Sequence, residues 1–331
     1  MTNLQSFPSP FRPLPSPFFL RPMPRTAADC WFLTGPTASG KSAVSVELAE
    51  RIGAEIVSLD SMALYRGMDI GTAKPTAEER RRVPHHLIDI IEPQEEYSLA
   101  QYVAAAGRCI EQIEGRGRQV LFVGGTPLYL KGLLRGIFEG PRADWEFRRR
   151  LQQEAREHGS ESLHRRLAEV DPAAAAKLHA NDARRLIRAL EVFEKTGQPI
   201  SRLQQQFEIG RSAAECRVFV LDWPRDELHA RIDARVDAMF AAGLVEEVRG
   251  LLGRPEAPSR TASQAVGYRE VIEHLEGRYT LPETIELVKQ HTRQLAKRQC
   301  TWFRSLSECR FIAVAGAMDP AIVAEGIRQS G

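Results

Sequence analysis

Cysteine is scarce in this sequence. Five cysteines are scattered over 331 residues, with no Cys-x-x-Cys pair and no cysteine–histidine cluster: Cys30, Cys109, Cys216, Cys300 and Cys309. This pattern indicates reduced thiols and a cytoplasmic setting, and it excludes a zinc site built on such a cluster. The neighbours His85 and His86 do not replace one, because adjacent side chains point in different directions and no third ligand lies near. We interpret them as a structural pair.

Long apolar runs are also absent, so the sequence predicts no membrane span. Residues 1–28 contain no acidic residue but seven prolines. The prolines prevent a continuous helix, and the apolar core of a signal peptide is missing. We expect a disordered extension, or translation that begins later, at Met23. The remaining composition, 43% apolar and 27% charged with a net charge of +2, is that of an ordinary globular protein and excludes no partner.

One motif stands out: Gly35-Pro36-Thr37-Ala38-Ser39-Gly40-Lys41-Ser42. It follows a short apolar run and precedes a helical pattern, Ser42–Ile52, which is the strand–loop–helix context of a phosphate-binding loop. In such a loop the backbone N–H groups and the helix N-terminus bind a diphosphate or triphosphate. Lys41 supplies a cation, and the Ser42 hydroxyl is placed to bind Mg²⁺. The loop alone favours ATP or GTP as the ligand.

The order of patterns predicts an α/β fold: a P-loop-containing parallel β-sheet flanked by helices, with an all-α insertion domain. A helix is predicted at Leu99–Glu114, and strands are predicted at Cys30–Leu33, Glu55–Leu59, Val120–Val123, Val218–Leu221 and Phe311–Val314. We divide the chain into the extension 1–28, a first core part 29–143, a helical insertion 144–214, a core completion with basic C-terminal helices 215–316, and a tail 317–331.

A basic helix is predicted near the C-terminus. Residues 288–306 contain five basic residues and no acid. Four of them, Lys289, Arg293, Lys297 and Arg304, fall on one helical face at about 100° per residue. Such a stripe suits nucleic-acid phosphates, and it equally suits a face packed on acidic neighbours.

Two strand ends argue against a nucleotide hydrolase. The third run ends in Gly124-Gly125-Thr126 rather than in the aspartate that usually holds Mg²⁺ in such enzymes. An aspartate instead follows the second run, at Asp60. Because strand C-termini face the ligand crevice of a parallel sheet, Asp60 should lie near the phosphates and accept a proton from a nucleophile. It could also simply cap the next turn.

With these residues in view, the chain resembles the tRNA dimethylallyltransferase (isopentenyltransferase) family from Gly35 to about Arg304. The resemblance is carried by segments in the family's order: Gly35–Ser42, Asp60–Pro75, Gly124–Tyr129, Asn181-Asp182, Arg184–Glu191, Arg231 with Arg235, Gln264–Arg269 and Lys297–Arg304.

The resemblance implies transfer of a dimethylallyl group from dimethylallyl diphosphate to N6 of an adenosine beside the tRNA anticodon. It implies that Gly35–Ser42 holds the diphosphate with Mg²⁺, that Arg235 clamps it, that Asp60 is the general base and that Thr126 lies beside Asp60. It also implies a set of tRNA contacts: Asp60, Ser61, Met62, Ala63, Thr126, Arg148, Arg184, Arg185, Leu186, Ile187, Arg188, Gln264, Ala265, Val266, Gly267, Tyr268, Arg269, Lys297, Arg298, Gln299, Cys300, Thr301, Trp302, Phe303 and Arg304. We expect a cytoplasmic monomer that binds the tRNA anticodon stem-loop and no membrane.

The sequence departs from the family in three respects. Pro127 stands where a small or apolar residue is common, the extension has no counterpart, and the zinc finger of eukaryotic members is missing, which implies the bacterial type. Three alternatives remain open from the residues: a small-molecule kinase, an adenylate isopentenyltransferase, and a GTP-driven RNA-binding switch. The last would need an Asn-Lys-x-Asp motif, which the sequence lacks.

Overall fold

The computed structural model describes residues 30–138, 140–204 and 210–331, so the predicted disordered extension 1–28 lies outside the described residues. The strands are β1 Trp31–Thr34, β2 Ala54–Ser58, β3 His85–His86, β4 Gln119–Gly124, β5 Arg217–Asp222 and β6 Cys309–Ala313. The helices are α1 Lys41–Ile52, α2 Ala77–Arg82, α3 Leu99–Glu114, α4 Pro127–Arg135, α5 Trp145–His158, α6 Ser160–Val170, α7 Pro172–Lys177, α8 Ala183–Thr196, α9 Ile200–Leu203, α10 Arg225–Ala241, α11 Leu244–Leu252, α12 Arg260–Ser263, α13 Tyr268–Leu275, α14 Leu281–Arg304 and α15 Pro320–Ser330.

The strands form one parallel sheet in the order β3-β2-β4-β1-β5-β6. The central strand β1 is buried along its whole length, between β4 and β5. Apolar side chains of the sheet pack on helices on both faces, which explains why the buried strands read as continuous apolar runs. The predicted fold class is therefore confirmed. All strand C-termini meet at one edge of the sheet, where ligands bind in such folds.

The structure adds one strand that the sequence did not indicate, the two-residue β3. His85 Nδ1 lies 2.7 Å from the carbonyl oxygen of Val83, and His86 Nε2 lies 2.7 Å from a carboxylate oxygen of Glu55. Both rings thus have local partners, as expected for a structural pair. Among the described residues no cluster of three or more histidine, cysteine, aspartate or glutamate side chains could hold a metal ion.

The described residues divide into two compact units, one formed by residues 138–204 and the other by residues 30–137 with 210–331. The smaller unit is all-helical. Its core lies between α5, α6, α7 and α8 and is built from Phe147, Leu151, Leu163, Leu167, Leu186 and Leu190. The predicted insertion, 144–214, begins later in the chain than this unit, which starts at residue 138. It also ends later, since residues 210–214 belong to the larger unit.

The segment 317–331 was expected to be a tail, but in the structure it contains α15. Ala324 and Ile327 of this helix are fully buried in the core beside α1. The tail interpretation was wrong because a short helix with only two core residues gives a weak apolar period. Within the described part of the chain, none of the helices is long and apolar enough to cross a lipid bilayer.

Candidate active site

The phosphate loop runs from Gly35 to Gly40 between β1 and α1. Gly40 is the N-cap of α1 and has a left-handed backbone, with φ 85°. Ala38 is also left-handed, with φ 62°, which is unusual for a residue with a side chain and is typical of functional loops. Left-handed residues of this kind allow a loop to turn N–H groups toward a bound anion. The N–H groups of Gly40, Lys41 and Ser42 donate no hydrogen bond within the described residues.

The carbonyl oxygens of the loop are held by side chains. Lys41 Nζ donates to the oxygens of Gly35 (3.0 Å) and Pro36 (2.7 Å). On the other side, Arg231 Nε donates to the oxygen of Ala38 and Trp223 Nε1 donates to that of Ser39, each at 3.0 Å.

The Arg231 guanidinium stacks on the Trp223 ring at 4.2 Å, which fixes both donors. With its carbonyls engaged, the loop presents a surface of positive dipoles, which suits an anion.

Asp60 and Thr126 lie together where β2 and β4 end. The Thr126 hydroxyl oxygen accepts a hydrogen bond from the Ser61 N–H (3.0 Å), and the Thr126 N–H donates to the Leu59 oxygen (3.1 Å). Asp60 Oδ1 accepts from the Met62 N–H at 2.8 Å, so one carboxylate oxygen is used for positioning and the other has no bond within the described residues. The strands can approach this closely only because residue 124 is glycine: a methyl group there would overlap the backbone of Leu59.

A cavity of about 350 Å³ joins these parts. Its lining includes the loop residues 37–42, Asp60, Gly125 and Arg235, together with apolar side chains such as Ile56 and Ile88. The structure thus brings together the predicted phosphate loop, the predicted base and the predicted clamp. A second cavity, of about 620 Å³, shares residues 73–75 and Arg235 with the first.

Two cations in this cavity, Lys41 and Arg235, have no ion-pair partner among the described residues. Burial, together with the neighbouring Arg235 charge, lowers the pKa of Lys41 to about 7, against the opposing influence of Asp60. Burial likewise lowers the pKa of Arg235, again opposed by Asp60. Arg235 Nε is the one buried side-chain nitrogen or oxygen within the described residues that has no hydrogen-bond partner. A buried donor without a partner is costly, so this arrangement favours a bound anion.

The residues present fit a magnesium ion bound together with a phosphate ligand. The Ser42 hydroxyl is exposed at the start of α1, directly after Lys41. Mg²⁺ prefers oxygen ligands and commonly takes most of them from water and substrate phosphates, so one protein hydroxyl is a sufficient anchor.

The basic face of α14 is largely neutralised by acids of the larger unit. Lys289 pairs with Asp237 at 2.9 Å and Arg293 pairs with both oxygens of Asp233, the closer at 2.6 Å. Arg304 lies 3.3 Å from Asp222. For these three, the structure favours the alternative of a face packed on acidic neighbours. Lys297 and the adjacent Arg298 are exposed and have no ion-pair partner among the described residues.

Several predicted tRNA contacts are buried or already bonded within the protein. Leu186 and Ile187 belong to the apolar core of the helical unit, so their side chains cannot reach an RNA. Arg148 and Arg188 bond the fully buried Glu191 carboxylate, at 2.8 Å and 2.5 Å. Burial raises the pKa of Glu191, but the bonds from these arginines and from the Asp144 N–H outweigh it and hold the pKa below its ordinary value.

In the larger unit, the predicted contacts Ala63, Ala265, Gly267, Tyr268 and Phe303 are also buried. The Tyr268 hydroxyl donates to Glu247, whose carboxylate also accepts from the N–H groups of residues 69–71. The Tyr268 side chain therefore supports the loop after Asp60 through Glu247.

The remaining predicted tRNA contacts are at least partly exposed: Ser61, Met62, Arg184, Arg185, Gln264, Val266, Arg269, Cys300, Thr301 and Trp302. Arg185 pairs with Asp182 at 3.0 Å, and Arg269 pairs with Glu270 at 2.5 Å.

Sequence reasoning assigned no role in the site to Trp223, Arg231 or Lys74. Lys74 lines both cavities, and its side chain is only 3% exposed because it bonds Asp69, Asp89 and the Tyr65 oxygen. Trp223 follows β5 directly, at the same sheet edge as Asp60 and Thr126. Its position after a buried strand was the sequence feature that could have placed it in the site.

Comparison with known proteins identifies the family. A family model described as IPP transferase matches residues 63–306, and one described as isopentenyl transferase matches residues 28–90. The tRNA dimethylallyltransferase of Geobacter metallireducens is 52% identical over 86% of this chain and 92% of its own length. The chain belongs to the tRNA dimethylallyltransferase family. The family member of Rhodopirellula baltica is 50% identical over 85% of this chain and 87% of its own length.

Solved structures of this tRNA dimethylallyltransferase family have the same fold. The tRNA isopentenylpyrophosphate transferase of Bacillus halodurans is 39% identical, with a TM-score of 0.65, and covers 91% of this chain and 96% of its own. A eukaryotic dimethylallyltransferase that acts on tRNA is 28% identical, with a TM-score of 0.70, over 86% of this chain and 73% of its own.

Proposed function

We propose that this protein transfers a dimethylallyl group from dimethylallyl diphosphate to N6 of the adenosine beside a tRNA anticodon, and releases diphosphate. Besides family membership, one observation carries the proposal: a single cavity joins an anion-binding loop, two buried cations and a carboxylate at adjacent strand ends. Such a cavity can bind a diphosphate and also remove a proton from a nucleophile held beside it.

The diphosphate would lie against the loop N–H groups, between Lys41 and Arg235. The C1–O bond of the donor breaks, and its electron pair remains with the leaving diphosphate. Charge therefore builds on the diphosphate oxygens, where fixed N–H groups and cations stabilise it. Mg²⁺ held through Ser42 would neutralise part of the same charge. Arg235 Nε, which has no partner among the described residues, would gain one when the anion binds.

Asp60 would act as the general base. An adenine amino group is a weak nucleophile because its lone pair is conjugated with the ring. As the new N6–C1 bond forms, the N6 proton passes to Asp60, whose second carboxylate oxygen is available for it. Thr126, fixed by Ser61 and Leu59, holds the loop that faces Asp60.

The target adenosine must leave its base stack to reach the cavity. We propose that exposed cations, among them Lys297 and Arg298 on α14, position the tRNA backbone. Sequence selection would come from groups around the extruded base. The partner would be the anticodon stem-loop of a tRNA, and we propose that the protein acts as a monomer in the cytoplasm.

The test is incubation of the protein with dimethylallyl diphosphate, Mg²⁺ and unmodified tRNA, followed by digestion and mass analysis of the nucleosides. We expect prenylated adenosine from the tRNA, and none when AMP or ATP replaces the tRNA. Prenylated AMP instead would identify an adenylate isopentenyltransferase. Transfer of a phosphoryl group from ATP to a small alcohol, with no use of the prenyl donor, would identify a kinase and overturn the proposal.

A further inference from the structure

Gln299 is a polar residue on the core-facing side of α14. Its side chain is buried, with 8% exposure, whereas Arg298 beside it is exposed. The other buried residues of this helix are Thr284, Val288, Ala296 and Phe303. A glutamine amide at such a position is tolerated only if its polar atoms are bonded.

Both ends of the Gln299 amide are bonded to backbone groups of the cavity wall. Oε1 accepts a hydrogen bond from the Thr37 N–H at 2.9 Å, and Nε2 donates to the Gly125 oxygen at 2.6 Å. The orientation of the amide is fixed, because an N–H can only donate and a carbonyl oxygen can only accept.

The two bonded groups belong to different loops. Thr37 lies in the phosphate loop after β1, and Gly125 lies directly before Thr126, after the neighbouring strand β4. The contact leaves no free space, since a Cβ atom on Gly125 would lie 2.7 Å from Nε2 of Gln299. The amide is thus a spacer of fixed length between the loop that binds the anion and the loop that faces Asp60.

We infer that Gln299 is a positioning residue for the donor diphosphate and not a tRNA contact: its amide sets the distance between the phosphate loop and the Gly125–Thr126 turn. The inference rests on the proposed function for the identity of the anion. Loss of the amide would leave the Thr37 N–H and the Gly125 oxygen without partners inside the protein, and the phosphate loop would relax from its anion-binding shape.

The test is calorimetric binding of inorganic diphosphate with Mg²⁺ to the full chain, next to salt-dependent binding of tRNA. Gln299→Leu removes both hydrogen bonds and keeps the approximate volume. Gln294→Leu is the matched control, because Gln294 is exposed on the same helix. We expect Gln299→Leu to weaken diphosphate binding about tenfold or more and to leave tRNA affinity unchanged. The control should change neither.

Gln299→Glu separates positioning from general support of the fold. At pH 8 the carboxylate would place a second acceptor against the Gly125 oxygen. As the pH falls toward 6, burial favours the protonated acid, which can donate to that oxygen as the amide does. The loss of diphosphate affinity relative to wild type should shrink in Gln299→Glu and stay constant in Gln299→Leu. This comparison needs only the glutamate variant if the leucine variant does not fold.

Equal diphosphate binding by wild type and Gln299→Leu would overturn the inference, as would a pH-independent loss in Gln299→Glu or a selective loss of tRNA affinity in either variant. Inorganic diphosphate is bound without tRNA and without transfer. If Gln299 controls that binding but the wild type prenylates no tRNA, the proposed function fails and the inference stands. A wild type that binds no diphosphate overturns both.

Discussion

Lys41 shows how the cavity suits an anionic ligand. Its ammonium group bonds the carbonyl oxygens of Gly35 and Pro36, which keeps the loop in shape, yet burial and Arg235 lower its pKa to about 7. A bound diphosphate adds negative charge next to Lys41 and therefore raises this pKa. Above pH 7, where the free protein has largely lost the proton, binding must take one up.

We predict that diphosphate affinity falls as the pH rises from 7 to 9, by up to about tenfold for each pH unit. Binding at pH 8 should be accompanied by uptake of a proton, seen in calorimetry as a dependence on the ionisation enthalpy of the buffer. Lys41→Arg is the control because arginine keeps its charge over this range. Both proteins bind the same titrating ligand. Its protonation therefore cancels in the ratio of the two diphosphate affinities at each pH. Equal pH dependence in the two would contradict the account.

For single residues, the sequence predicts the place of a side chain in the site when the residue lies at the end of a strand. The phosphate loop, Asp60 and Thr126 each follow a buried strand directly, and the structure places them around one cavity or beside it. Arg235 could be placed there only through the family resemblance. The hydrogen bonds of Gln299 were not predicted, because its partners Thr37 and Gly125 lie more than 170 residues away along the chain. A polar residue on the apolar face of α14 was the signal.

At the scale of elements, the pair of helices α10 and α14 carries the main correction. The basic stripe of α14 was visible in the sequence, but the acids that neutralise it, Asp233 and Asp237, lie on α10 more than 50 residues earlier. Which acids would face the stripe depends on the packing of these helices, and no local pattern encodes that. Among the basic residues of α14, only Lys297 and Arg298 are exposed and have no ion-pair partner within the described residues.

We predict that Lys297→Ala combined with Arg298→Ala weakens tRNA binding. The negative slope of log affinity against log salt should become less steep by about one to two. The reason is the loss of two cations that release counterions from RNA phosphates. The measurement is tRNA affinity over a series of salt concentrations.

Lys289→Ala combined with Arg293→Ala is the matched control on the same helix, because these cations are already paired with acids. It should change the salt slope less. If the control lowers the slope as much as the first variant does, or if the first variant leaves it unchanged, the tRNA does not bind where we place it.

On the scale of the whole molecule, the C-terminal segment 317–331 packs against the core next to the phosphate loop. The Met318 side chain lies so close to Gly40 that a Cβ atom there would be 2.7 Å from it. Ala324 and Ile327 are fully buried, and Arg217 and Arg310 donate to carbonyl oxygens at the chain end, those of Gly331 and Ser330. The segment that sequence analysis treated as a tail therefore packs against α1 and the loop that precedes it.

We predict that deletion of residues 317–331 lowers the free energy of unfolding by about 2–4 kcal/mol, from the loss of buried apolar contacts, and also weakens diphosphate binding. Urea unfolding and calorimetry measure the two effects. Ile322→Ala is the control within α15, because this side chain is 72% exposed and its loss should change neither quantity appreciably. A truncated chain as stable as the full one would show that the segment is dispensable.

The α/β class was predictable because alternating buried strands and helices leave strong local patterns. The strand order was not, since it places β4 between β1 and β2 and adds the two-residue β3 at the edge. Such choices depend on contacts between distant segments, as does the burial of Leu186 and Tyr268, which resemblance alone assigned to tRNA.

The central claim is that one cavity holds a diphosphate while Asp60 removes a proton from the acceptor. Asp60→Asn tests it most directly, since the amide has nearly the same shape and cannot act as a base at neutral pH. Diphosphate binding and prenyl transfer to tRNA are measured on the same preparation. We predict that transfer falls by at least about a hundredfold while diphosphate affinity changes less than tenfold. Retained transfer, or a loss of binding as large as the loss of transfer, would contradict the account.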